Sequence, residues 1–164
     1  MPVSETLVEQ LRELHAMEAA LMPFLPKMVL AGSSVQFRAL VATHLKETEG
    51  QVARLDKISK HIGKSLKGKS STAMSGLLDK IRPSLQLSAA PLAKDIALLH
   101  EAQRIEQAEI AAYQAAAALA RQEGAGPVVV LLEKTEKEEE AAHRLLGALA
   151  GEMAAGSIQA TPSP

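Results

Sequence analysis

Residues 7–21, LVEQLRELHAMEAAL, carry apolar side chains at Leu7, Leu11, Leu14 and Leu21, with Glu18 in a slot of the same stripe where another leucine would be expected. The three-then-four spacing continues through Leu25 and Met28, so this is the buried face of a bundle helix with a carboxylate set into it. Three further segments repeat the arrangement. Phe37, Leu40, His44, Glu47, Gln51, Leu55, Ile58 and Ile62 form a second face that turns polar in its middle. Ile96, Leu99, Ala102, Glu106, Glu109, Tyr113 and Ala117 form a third, with two carboxylates one turn apart. In the fourth, Leu131 or Leu132, Thr135, Glu138 or Glu139, Ala142, Leu145 or Leu146, and Leu149 leave the register open. An ionised carboxylate taken out of water costs several kcal/mol unless it is compensated, so four matched intrusions point to bound cations.

The composition agrees with an all-α fold. The chain has 164 residues and is 47% hydrophobic, with an alanine and leucine bias that favours helix over strand. This is the size of one domain, expected over residues 1–153, followed by a disordered tail at 154–164. A net charge of −1 without a basic tract gives no footprint for nucleic acid or an acidic membrane surface. The absence of cysteine excludes disulfides, thiol catalysis and zinc–thiolate sites, leaving oxygen and nitrogen as metal ligands. Met1-Pro-Val-Ser-Glu5 lacks the basic and apolar regions of a signal peptide, and no apolar run reaches membrane-spanning length, so the expected location is cytoplasmic.

Turn residues divide the chain into two helical hairpins. Ser4 caps the first helix, which is expected to kink or end early at Pro23 and Pro26 and to finish near Leu30. Ala31-Gly32-Ser33-Ser34 then supplies a terminating glycine and a serine cap, with Gln36 three residues after Ser33 as in a capping box. The second helix runs to about Ile62. Residues 63–88 read as a long crossover, lysine- and serine-rich at first and then carrying a short helix over Ala73 to Ile81. Ser88 and Pro91 start the third helix, and Gly124-Ala125-Gly126-Pro127 separates it from the fourth.

Two short-loop hairpins joined by one long connection thread a ferritin-like four-helix bundle. Glu18 and Glu47 lie 29 positions apart, about equally far from the turn at Gly32, and therefore at one height in an antiparallel hairpin. Glu109 and Glu138 are also 29 apart. Facing carboxylates from both hairpins would form a dinuclear metal cage.

Several segments also resemble a known family. The stretches Leu11 to Glu18, Leu25-Pro-Lys-Met28, His44-Leu-Lys-Glu-Thr48, Ala73-Met-Ser-Gly-Leu77 and Ala102 to Tyr113 are similar to the YciE/YciF family of bacterial stress-associated ferritin-like proteins. The likeness runs to about Leu149. It implies a rubrerythrin-like di-metal bundle, often dimeric, with Glu18, Glu47, Glu106, Glu109 and one of Glu138 or Glu139 as ligands. His15 stands where the family tends to have tyrosine, and Glu106-Gln107-Ala108-Glu109 replaces its Glu-His-Tyr-Glu. Glu-x-x-His pairs are absent at the expected registers, since Gly50 follows Glu47 by three and Ala141 follows Glu138 by three. A carboxylate-rich, histidine-poor set suits two divalent ions, iron first and manganese second, over copper or zinc.

The expected function is therefore a di-iron or di-manganese protein reacting with oxygen or peroxide in stress protection. The alternative is a non-catalytic dimeric bundle with a stabilising metal site. His44 and His143 stand either as metal contacts or as hydrogen-bonded helix residues, and Tyr113 either as a partner of a ligand or as ordinary packing. A homodimer is expected because Phe24, Phe37, Val41 and the apolar part of residues 73–81 exceed what one four-helix seam accommodates.

Overall fold

The structure, a computed structural model, describes residues 2–158, so that Gln159 to Pro164 of the expected tail lie outside the described residues. Six helices follow in order: α1 (Glu5–Leu21), α2 (Leu25–Ala31), α3 (Val35–Ile62), α4 (Thr72–Leu85), α5 (Pro91–Gln122) and α6 (Gly126–Ala154). The first bundle helix is interrupted at residues 22–24, around Pro23, into α1 and α2, with Pro26 in the first turn of α2 where its missing N–H costs no helical hydrogen bond. Neighbouring pairs α1–α3, α3–α6, α6–α5 and α5–α1 close a ring, with the α5–α6 hairpin the most extensive pairing. The crossover helix α4 packs on α5, α1 and α2.

Helix termini follow local chemistry, with two departures from expectation. Ser4 Oγ accepts from the Leu7 N–H at 3.1 Å, and Gly63 closes α3 at φ 67° in the left-handed region that glycine adopts without strain. The cap of α3 is Ser34 rather than Ser33, because α3 starts at Val35 and Ser34 Oγ accepts from the Phe37 N–H at 3.0 Å. Likewise α5 begins at Pro91 without a side-chain cap, and Ser88 stays outside it. α6 ends at Ala154, and Ile158 packs against the core beyond it.

Two features secure the tip of the α2–α3 turn. Gly32 has an extended backbone at φ −70°, and what demands a glycine is space, since a Cβ there would lie 2.1 Å from Cδ1 of the fully buried Phe37 ring. Gly32→Ala should therefore lower stability by about 1–3 kcal/mol through overpacking, read as a fall in the urea midpoint. An unchanged midpoint would show that the ring can move aside. Asp95 on α5 is fully buried and accepts from the Ser33 and Ser34 N–H groups at 2.8 and 2.9 Å, tying α5 to the start of α3. Asp95→Ala strands both donors, and its expected cost is about 2–4 kcal/mol by the same measurement.

The core forms two lobes. One gathers Met17, Leu21, Phe24, Phe37, Met74, Ile81 and Leu98 around α2 and α4, and the other Leu7, Leu11, Leu55, Ile58, Tyr113 and Val128 at the opposite end. Phe24, Phe37, Val41, Met74, Leu78 and Ile81 are all buried within one chain, because α4 lies over the bundle and covers them. The apolar surplus that motivated a homodimer is thus absorbed internally, and these residues supply no partner surface. Among the described residues, no helix is long and apolar enough to cross a membrane.

Candidate metal centre

Between the two apolar lobes all four bundle helices contribute buried polar residues: Glu18 from α1, His44, Thr48 and Gln51 from α3, Glu106 and Glu109 from α5, and Thr135 and Glu139 from α6. Three- and four-residue spacings place each set on a single helix face. Of the buried acids among the described residues, every one except Asp95 belongs to this layer. A stability-driven core does not concentrate its acids in this way.

One ligand atom each of His44, Glu106, Glu109 and Glu139 lies within 4.8 Å of all the others. His44 Nε2 is 2.9 Å from Glu106 Oε1, at ion-pair distance but without the alignment of a hydrogen bond. The Tyr113 hydroxyl donates to Glu18 Oε1 at 2.7 Å, which fixes that carboxylate at the edge of the cluster. Its other oxygen, Glu18 Oε2, has no protein partner, and neither do Glu106 Oε2 or both oxygens of Glu109 and Glu139.

The electrostatics follow from this crowding. Burial pushes Glu18 up to about 8, an effect the Tyr113 hydrogen bond only partly offsets. Burial, together with the neighbouring carboxylates, drives Glu109 and Glu139 well above the usual carboxylate range. For Glu106 burial acts upward as well, yet the facing His44 cation wins and holds it low. Conversely, burial opposes the charge on His44, and the Glu106 carboxylate raises it well above the ordinary histidine value. Burial and then the Glu18 carboxylate push the Tyr113 phenol up, so it keeps its proton. Burial thus works against the charged form of Glu18, Glu109 and Glu139, while His44 and Glu106 favour each other's charge across 2.9 Å.

A family model with the description "Domain of unknown function (DUF892)" matches residues 3–158. The chain belongs to this family. It is 30% identical over 140 residues to Protein YciF of Escherichia coli (strain K12), covering 85% of this chain and 84% of that protein. The crystal structure of the E. coli stress protein YciF superposes with a TM-score of 0.88 at 29% identity, over 92% of this chain and 95% of that one. YcfI from Rhodopseudomonas palustris gives a TM-score of 0.83 at 29% identity, over 87% and 90% of the respective chains. The YciF likeness read from the sequence is thereby established, as is the helical bundle.

In this DUF892 chain Glu18, Glu106, Glu109 and Glu139 of the expected ligands enter the buried layer, while Glu47 and Glu138 do not. Glu47 lies at the edge of the layer with its side chain 37% exposed, and its Oε2 is 3.5 Å from His44 Nδ1. The buried stripe of α3 runs through His44, Thr48, Gln51 and Leu55, so His44 occupies the place expected of Glu47. Glu138 sits one position, or about 100° of helix, from Glu139 and so leaves the stripe formed by Thr135, Glu139, Ala142 and Leu146. There it pairs with Arg54, whose Nη1 donates at 2.7 Å to Glu138 Oε2 and at 2.9 Å to Thr135 Oγ1, while Gln51 Nε2 lies 3.3 Å from the same carboxylate. Nothing in the spacing of Arg54 singled it out. His143 on α6 is half-buried with Nδ1 unpartnered, close enough for its charge to lower Glu106.

Proposed function

We propose that the chain binds two divalent cations, iron first and manganese second, between Glu18, His44, Glu106, Glu109 and Glu139, and reacts with a small oxidant in stress protection. The observation that carries this reading is the set of six carboxylate oxygens buried at one level without a protein partner. Four carboxylates are balanced in charge by two divalent ions, and oxygen and nitrogen donors suit iron and manganese. The likeness to a protein described as a stress protein supports the physiological setting.

When bound, such ions would supply one-electron redox changes and Lewis acidity. The chain's own residues prepare the site for both. Tyr113 holds its proton at Oη and orients Glu18, leaving Oε2 free to coordinate. His44 presents Nε2 toward Glu106, so that the two act as one positioned pair. The apolar lobes on either side exclude bulk water and strengthen every charge interaction within the layer. On the flank, Arg54 neutralises Glu138 and keeps that carboxylate from competing for a cation.

Metal analysis of protein purified without added metal should give close to two ions per chain, and the reduced protein should change absorbance when oxygen or peroxide is added. Protein purified free of metal that also fails to take up added ferrous or manganous ion would overturn the reading. A protein that fills with metal and is inert to both oxidants would instead be a structural bundle stabilised by its ions.

A further inference from the structure

The α3–α6 flank of the acid layer opens onto solvent. Glu47, Glu133 and Glu138, together with Lys134 and Lys137, line a hollow of about 540 Å³ there. Two of its carboxylates are already held by guanidinium groups, Glu133 by Arg121 and Glu138 by Arg54. Glu47 faces a histidine instead, with Oε2 3.5 Å from His44 Nδ1. The opposite nitrogen of the same ring, Nε2, is 2.9 Å from Glu106 Oε1 within the layer. His44 is 7% exposed, and neither of its ring nitrogens has a hydrogen-bond partner. A single imidazole thus spans the wall between the hollow and the buried acids, with one nitrogen toward each side. The apolar lobes close the layer at both ends of the bundle, and Glu18, Glu109 and Glu139 are completely buried.

We infer that this hollow is the entrance through which divalent cations reach the layer, with Glu47 as the carboxylate that receives them from water and Arg54 as the charge that restrains their passage. This rests on the metal reading above and deepens it by naming the route into the site. A hydrated divalent ion exchanges its waters for protein oxygens, so the first donor it meets has to be a carboxylate that solvent reaches. Glu47 meets that requirement, and the His44 ring behind it is the next ligand inward. Arg54 acts in the opposite sense. Its guanidinium occupies the oxygens of Glu138 on the same flank and sets a positive charge against an incoming cation. The buried ligands set how many ions are held, whereas Glu47 and Arg54 set how fast they arrive and leave.

The test follows uptake of manganous ion by the metal-free full chain, read as loss of the sharp EPR signal of the free ion, and then release of the bound ion to excess chelator. Glu47→Gln keeps the shape of the side chain and removes its charge, and Arg54→Gln frees Glu138. The expected result is the parent's final stoichiometry in both variants, with uptake and release severalfold slower in Glu47→Gln and severalfold faster in Arg54→Gln. A Glu47 that only holds His44 in place would change affinity or the urea midpoint and leave the uptake rate as it is. Parent-like uptake in Glu47→Gln, or a lower stoichiometry that makes Glu47 a ligand of the site itself, overturns the inference. A folded Arg54→Gln that fills no faster than the parent removes Arg54 from it. Should Arg54→Gln lose its helicity in circular dichroism, Glu47→Gln, altered at a partly exposed position, decides alone. A parent chain that takes up no cation overturns the proposed function itself, a failure seen before any variant is compared.

Discussion

Replacement of Glu109 by leucine should abolish stoichiometric metal binding and, at the same time, make the metal-free protein more stable. Both Glu109 oxygens are buried without a partner, and Glu18, Glu139 and Glu106 add like-charge repulsion. Leucine has a similar volume and removes a buried polar group that has no compensation, an exchange worth about 1–4 kcal/mol in favour of the fold. A higher urea midpoint in chelated Glu109→Leu, together with loss of metal in elemental analysis, is the expected pair of results. Wild-type metal content in the variant would remove Glu109 from the site. A lowered midpoint would show that its carboxyl has a stabilising partner.

The second large effect is on pH dependence, and it should change sign with metal. Glu18 is raised from 4.5 to about 8 in the folded chain, and Glu109 and Glu139 are raised well above 4.5. Between their unfolded and folded values the folded state holds more protons than the unfolded state, so metal-free stability falls as pH rises from about 4.5 toward 8. At about 1.4 kcal/mol per unit, Glu18 alone contributes several kcal/mol to that fall. His44, also raised, adds stability that is present at low pH and is lost as pH climbs through its folded value. Glu106 is lowered and acts in the opposite sense, with its contribution lost as pH drops below the usual carboxylate range. Metal requires the deprotonated ligands, so the loaded protein should gain stability over the same interval. Denaturant midpoints from pH 5 to 8, with chelator and with added metal, check this. A midpoint that climbs with pH in the chelated protein would contradict a buried acid cluster.

Much of the site was readable before the fold because its residues interrupt apolar stripes. Glu18 among the leucines of α1 and the Glu106/Glu109 pair on α5 needed only helical periodicity, since a side chain at that spacing has one direction in which to point. The end of the first bundle helix at its prolines, the long crossover with its own helix and the Pro127 start of α6 were equally local, because each depends on a backbone donor or a turn residue.

Other features required the packed bundle. The matched spacing of Glu18 and Glu47 set the height of the layer correctly, but height does not specify rotation about the helix axis. The contacts of α3 with α1 and α6 turned His44, Thr48 and Gln51 inward and left Glu47 at the edge. On α6 Glu138 and Glu139 likewise differ by a rotation of about 100°, with Glu139 buried in the layer and Glu138 paired at the flank with Arg54, a residue 84 positions away in sequence. The apolar residues assigned to a partner surface were also decided nonlocally, since nothing in residues 72–85 says that they fold back over Phe24 and Phe37. The sequence by itself thus determined the helices, their buried faces and the level at which acids intrude. Which residue at that level faces the centre, and which apolar face is covered by its own chain, was decided only by tertiary packing, because helical periodicity carries no information about a neighbour's position.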